Sequence, residues 1–189
     1  MLNCIFLLKM KKEISQEIEI PEGIKARLEG TKLIVEGLEG ENSREFGLGK
    51  INFKIENNKI ILSYSKATKK EKKIINTTAA HIKNMLQGIQ KKIEYKAKIC
   101  SSHFPMKVII EKEKVIIKNF LGEKIPREVK IPLGAELEIE KDIITIKSVD
   151  KEIAGQATAN LEKATQIKKR DKRVFQDGIY IINKAGKEI

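Results

Sequence analysis

The chain is one unit written twice. Residues 24–40 lie over residues 106–122 without a gap: Lys25 meets Lys107, Glu29 meets Glu111, Lys32 meets Lys114 and Gly40 meets Gly122. Further on, Arg44-Glu45 falls on Arg127-Glu128 and Ile55-Glu56 on Ile139-Glu140, slightly out of step. Residues 77–89 then meet residues 155–167, so the offset stays near 80 residues throughout. A repeat of that length can enclose its own small core, unlike the short units of a solenoid. The expectation is an α+β chain of two similar duplicated domains. Each would be a small, mostly antiparallel β-sheet packed against one long α-helix.

Local patterns assign the elements. Residues 13–20 alternate through Ile14, Gln16, Ile18 and Ile20 and stop at Pro21, as a half-buried strand does. Short strands follow at 24–28, 32–36, 44–48, 51–56 and 59–65, with turns at Gly30, at Gly37 to Gly40 and at Asn57-Asn58. Thr68 and Glu71 then form a capping-box pattern. Ile75, Ala79, Ile82, Leu86, Ile89 and Ile93 make one apolar stripe on a helix over about 69–92. The second half returns to strand alternation at 95–101. Its helix has Asp150 as N-cap and a stripe of Ile153, Ala157, Leu161 and Ala164. The expected domains are residues 11–93 and 94–183, with 184–189 a frayed tail. The apolar run 2–8 precedes its lysines and no small-residue cleavage site follows, the reverse of a signal peptide. Residues 1–10 are therefore expected to be a non-native or disordered extension, with Met10 the true start.

Charge sets the function class. The net charge of +12 is unevenly placed. Residues 66–98 carry ten basic and two acidic side chains, and residues 151–189 carry nine and five, whereas residues 99–150 balance. Concentrated positive charge suits an anionic partner such as nucleic acid. The densest cluster, Lys168, Lys169, Arg170, Lys172 and Arg173, follows the second helix. Phe175, Ile179 and Ile181 are placed to pin that loop to the domain. A solvated helix end is the plainer alternative, since cations there complement the helix dipole. Lys69, Lys70, Lys72, Lys73, Lys91 and Lys92 form a second basic face around the first helix.

Chemistry is absent from the pattern. His81 and His103 have no nucleophile at a recognisable spacing, and Cys100 and His103 fall short of the three or four ligands a zinc site needs. Cys100 reads as a small buried hydrophobe. Gly47, Gly49 and Lys50 resemble a phosphate loop, but Arg44 and Ile51 stand where Gly and Ser or Thr are required. No cofactor, metal or small-molecule substrate is expected, and no enzyme.

Four separated stretches carry a resemblance: Cys100-Ser-Ser-His-Phe-Pro-Met106, Asn119-Phe-Leu-Gly-Glu-Lys124, Gly155-Gln-Ala and Asp171-Lys-Arg-Val-Phe-Gln-Asp-Gly-Ile-Tyr180. Together they resemble the universal large-subunit ribosomal protein six family, in its archaeal and eukaryotic branch, over roughly residues 11–185. The resemblance implies a structural, cytoplasmic ribosomal protein. It would bind large-subunit rRNA, mainly through the second domain, near the sarcin–ricin loop and the stalk base where translation factors dock. Neighbouring ribosomal proteins near the stalk base would be its other partners. It also implies that Lys168, Lys169, Arg170, Lys172, Arg173, Asp177, Gly178 and Tyr180 contact RNA. Residues 1–9 have no counterpart in the family. The alternatives are another basic RNA-binding protein and a peripheral membrane binder. The latter needs a helix with an exposed apolar face, and here that face is needed to cover a sheet.

Overall fold

A computed structural model describes residues 12–189 except Leu48, Lys50, Asn57, Glu113, Lys169 and Lys172. The extension over 1–10, the turn at Asn57 and the end of the expected strand at Leu48 fall outside the described residues. Two compact units divide the chain, Met1–Gln90 and Lys91–Ile189.

In the first unit, β1 (Lys12–Glu19) pairs with β6 (Lys59–Ala67), which also pairs with β5 (Asn52–Glu56). A second sheet holds β2 (Lys25–Glu29), β3 (Lys32–Gly37) and β4 (Gly40–Glu45) in that order. Helix α1 (Lys69–Gln90) packs on both sheets with Ile75, Ala79, Ile82, Leu86 and Ile89, the expected stripe, together with Met85. Ile93 has left the helix and opens the next strand, since α1 ends at Gln90. The capping box forms. The Thr68 amide donates to Glu71 Oε2 at 2.9 Å, and the Thr68 hydroxyl accepts from the Lys70 amide at 3.3 Å. Gly37 permits the closest approach: a Cβ there would collide with Cγ2 of the fully buried Ile89. The Glu39 amide then donates to the Ile89 carbonyl at 3.3 Å, tying the β3–β4 turn to the end of α1.

The second unit repeats this plan. Its strands β8 (Lys107–Glu111), β9 (Lys114–Lys118) and β10 (Arg127–Lys130) match β2, β3 and β4. Its strands β7 (Ile93–Cys100), β11 (Glu136–Glu140) and β12 (Ile143–Ser148) pair in the order β11-β12-β7, as β5-β6-β1 do. All these pairings are antiparallel. Each unit thus splits its strands between two sheets rather than carrying one. Helix α2 (Lys151–Ala164) covers the core, with Asp150 Oδ1 accepting from the Glu152 amide at 2.8 Å as N-cap. Its buried face is Ala154, Ala157, Thr158 and Leu161. Ile153 is only half-buried, so the expected stripe is rotated by one residue. Small side chains let the helix sit low on the sheet, and the Gly155 position lies 3.5 Å from the Tyr95 hydroxyl.

One addition distinguishes the second unit. Strand β13 (Gly178–Lys184) pairs along the free edge of β7, from Gly178 opposite Cys100 to Lys184 opposite Tyr95. A short β14 (Lys187–Glu188) folds back on it, so residues 184–189 are partly in a strand rather than a frayed tail. The link from α2 to β13 carries the basic cluster.

Candidate nucleic-acid interface

Helix α2 stops at Ala164, four residues before the first cation of the cluster. The apolar pattern continues to Ile167, which is buried, but the backbone there is no longer helical. Two tertiary contacts end the helix. Arg127 Nη1 donates to the Ala164 carbonyl at 2.6 Å, a cation on the negative end of the dipole. The Thr165 hydroxyl, buried, accepts from the Ile179 amide at 2.9 Å and donates to the Glu162 carbonyl at 3.2 Å. Arg127 is itself held in place by Glu123, Nε to Oε2 at 2.8 Å, and lies 4.2 Å above the buried Phe120 ring. That hydrogen bond holds the Glu123 carboxyl below its ordinary value, with Arg170 adding a smaller share through its charge. Because the cluster is not in the last helical turn, the helix dipole does not account for it.

Lys168, Arg170 and Arg173 are all exposed on this segment. Lys169 and Lys172 lie outside the described residues. The Arg170 guanidinium packs over the Phe175 ring at 4.8 Å, a cation–π arrangement that limits its wandering. Asp171 turns the chain: its Oδ1 accepts from the Arg173 amide at 2.9 Å and its carbonyl accepts from the Phe175 amide at 3.0 Å. The Phe175 ring lies 4.9 Å from the His103 ring, and its body packs against the unit's core.

Asp177 locks the loop from behind. Its carboxylate is 2% exposed. Oδ1 accepts from the Ser102 amide at 2.6 Å, and Oδ2 accepts from the His103 amide at 3.2 Å. Burial opposes the charge, yet the hydrogen bonds from Ser102 and His103 outweigh it and hold the carboxyl at about 2. Sequence reasoning placed Asp177 among the surface contacts. The structure sets its side chain behind that surface, where it fixes the 100–106 stretch to the cluster's exit. His103 likewise joins this anchor rather than standing as a plain turn residue. Ser102, Thr165 and Arg127 were missed, because backbone amides and carbonyls leave no mark in a sequence. Cys100 is half-buried rather than buried.

Gly178 is buried and opens β13 with φ 157°, in a strand rather than in the expected turn. A Cβ there would meet the Tyr180 ring at 3.4 Å and the Thr165 carbonyl oxygen at 3.5 Å. Tyr180 is 42% exposed beside it. Burial pushes its phenol above the ordinary value, and the nearby Cys100, Asp177 and Glu162 add to the rise.

The second basic face is divided. Lys69, Lys70, Lys72 and Lys73 are exposed at the start of α1, and Lys91 is exposed just after its end. A helix of 22 residues separates these groups by about 30 Å. Lys92 is taken by Glu136, at 2.7 and 2.9 Å. The placement on α1 also runs against the dipole: lysines crowd the first turn, and the last turn carries no basic residue. In α2 the order is favourable, with Glu152 in the first turn and Lys163 in the last.

Among the described residues no group of three His, Cys, Asp or Glu side chains could hold a metal, and no helix is long and apolar enough to cross a membrane. A duplicated α+β scaffold presenting cations on a locked loop is the build of a binding protein. Comparison with known proteins narrows the class. The family model for ribosomal protein L6 matches residues 20–92 and 104–178, once for each unit, and the chain belongs to that structural, non-enzymatic family. The chain is 46% identical to large ribosomal subunit protein uL6 of Methanobrevibacter smithii over 171 residues, covering 90% of this chain and 96% of the relative. It is 40% identical to the uL6 of Methanococcus vannielii, covering 92% and 96%, and 41% identical to that of Methanocella arvoryzae, covering 93% and 100%.

Proposed function

We infer that this chain binds large-subunit rRNA through the second unit, using Lys168, Lys169, Arg170, Lys172 and Arg173, with Tyr180 beside them. As a member of its family it is a structural, non-catalytic component of the large ribosomal subunit in the cytoplasm. Its rRNA site lies near the sarcin–ricin loop and the stalk base, where it supports the translation-factor site beside neighbouring ribosomal proteins. Lys69, Lys70, Lys72, Lys73 and Lys91 supply further phosphate contacts. The observation that carries this reading is the exposed cationic segment held between a buried Asp177 and the end of α2. Such a segment presents charge without the entropy cost of ordering a free loop on binding.

The test is a salt titration. Each phosphate contact contributes about 0.7–0.9 to the slope of log affinity against log salt. The triple variant Lys168→Ala, Arg170→Ala, Arg173→Ala should bind large-subunit rRNA more weakly, with a slope shallower by roughly 2–3. An unchanged slope and affinity would remove the cluster from the interface.

A further inference from the structure

Beside the basic segment a cleft of about 340 Å³ opens between the end of α2 and β13. Its apolar lining is Ile167 and Ile179, both buried, and one wall is the exposed Tyr180 ring. Gln166 and Glu162 also line it and bring an amide and a carboxylate to its edge. The aromatic wall is oriented in advance, because the ring lies over Gly178 and close to the Thr165 carbonyl. Lys168 follows Ile167 directly, so a cation stands next to the cleft. The cleft falls within the size range of small-ligand sites, and its mixture is that of a nucleotide site. A ring supplies a stacking plane, polar groups meet a base edge, and a cation meets the adjoining phosphate. A continuous duplex offers no free base face, whereas unpaired nucleotides in loops and bulges do.

We propose that this cleft takes one unstacked nucleobase of the bound RNA, stacked on Tyr180, with Glu162 and Gln166 at its Watson–Crick edge. The proposal rests on the rRNA-binding reading above and adds base recognition to its phosphate contacts. The raised phenol pKa keeps the Tyr180 hydroxyl protonated near neutral pH, so it remains a donor.

The experiment uses the full chain, protein-free large-subunit rRNA, and the variants Tyr180→Phe, Tyr180→Ala and Tyr180→Leu. Loss of one base–aromatic stack should weaken binding of Tyr180→Ala by roughly 5- to 150-fold with no change in salt slope. Tyr180→Leu, which keeps apolar cover over Gly178, should show the same loss, and Tyr180→Phe should bind within about threefold of the parent. Base-specific chemical probing should find a Watson–Crick edge shielded by the parent and by Tyr180→Phe. The same edge should be reactive with Tyr180→Ala and Tyr180→Leu, while backbone protection persists. Tyr180→Ala and Tyr180→Leu binding as tightly as the parent, with all base protections kept, would overturn the proposal. If the Lys168, Arg170 and Arg173 variant still loses salt slope in that case, the rRNA-binding reading survives without it. Failure of the parent to bind the rRNA at all would overturn both.

Discussion

Asp177 offers the sharpest check on how the interface is held. Its carboxyl lies at about 2, against 3.8 for the free side chain. At about 1.4 kcal/mol per pH unit, that difference is worth about 2 kcal/mol of folding stability at neutral pH. The folded value is the depressed one, so the stabilisation is complete above about pH 5. It is lost as pH falls toward 2, and roughly half remains at pH 3. Asp177→Asn preserves shape but removes the charge, and turns an NH2 group toward an amide that needs an acceptor. Denaturant unfolding followed by circular dichroism should find the variant less stable by about 2 kcal/mol at pH 7, a cost typical of a hydrogen-bonded buried charge. The gap between parent and variant should shrink by about half at pH 3. Equal stability at pH 7 would refute the assignment. So would a deficit that stays constant from pH 7 to pH 3, which would reduce Asp177 to a packing residue.

Two further outcomes test the scaffold. Gly37→Ala should destabilise the first unit by about 1–3 kcal/mol, the usual cost of overpacking, because its methyl meets the buried Ile89; a first-unit unfolding transition at the parent's denaturant midpoint would refute that packing. Lys69→Gln, Lys70→Gln and Lys72→Gln together should raise the unfolding midpoint at low salt, by a few tenths of a kcal/mol per charge removed from the positive end of α1. The gain should fade in high salt, and the RNA salt slope should drop by about 0.7–0.9 for each lysine that touches phosphate. A midpoint that falls would mean these lysines stabilise the fold instead.

The duplication and the order of elements were legible because they are written in periodicity. Strand alternation gives way to the stripe Ile75, Ala79, Ile82, Leu86 and Ile89, and the structure buries each of those residues. The errors fall where tertiary contacts override a local pattern. Residues 164–167 continue a helical spacing, but Arg127 takes the Ala164 carbonyl and Ile179 takes the Thr165 hydroxyl, so α2 ends early. Ile93 sits in phase with α1 yet pairs opposite Ser148 in β7. At the interface, the cations and Tyr180 announce themselves as residue types. Asp177 does not, because its role is set by two backbone amides 74 and 75 residues away, and any residue at positions 102 and 103 other than proline could donate them.

The two units share a scaffold and differ where function diverges. In the first, β1 occupies the position of β7, and among the described residues no strand follows α1 to pair along its other edge. In the second, that edge is taken by β13, and the chain must travel from the end of α2 to reach it. That journey places the cations, and each end of it is fastened: Thr165 and Arg127 at the start, Asp177 and Gly178 at the finish. An added edge strand also removes an open row of hydrogen-bonding groups that would invite pairing with another chain. The same residues therefore close the sheet and orient the binding segment. Damage to Asp177 or Thr165 should for that reason weaken the fold and the RNA interface together, whereas damage to Lys168 or Arg173 should weaken the interface alone.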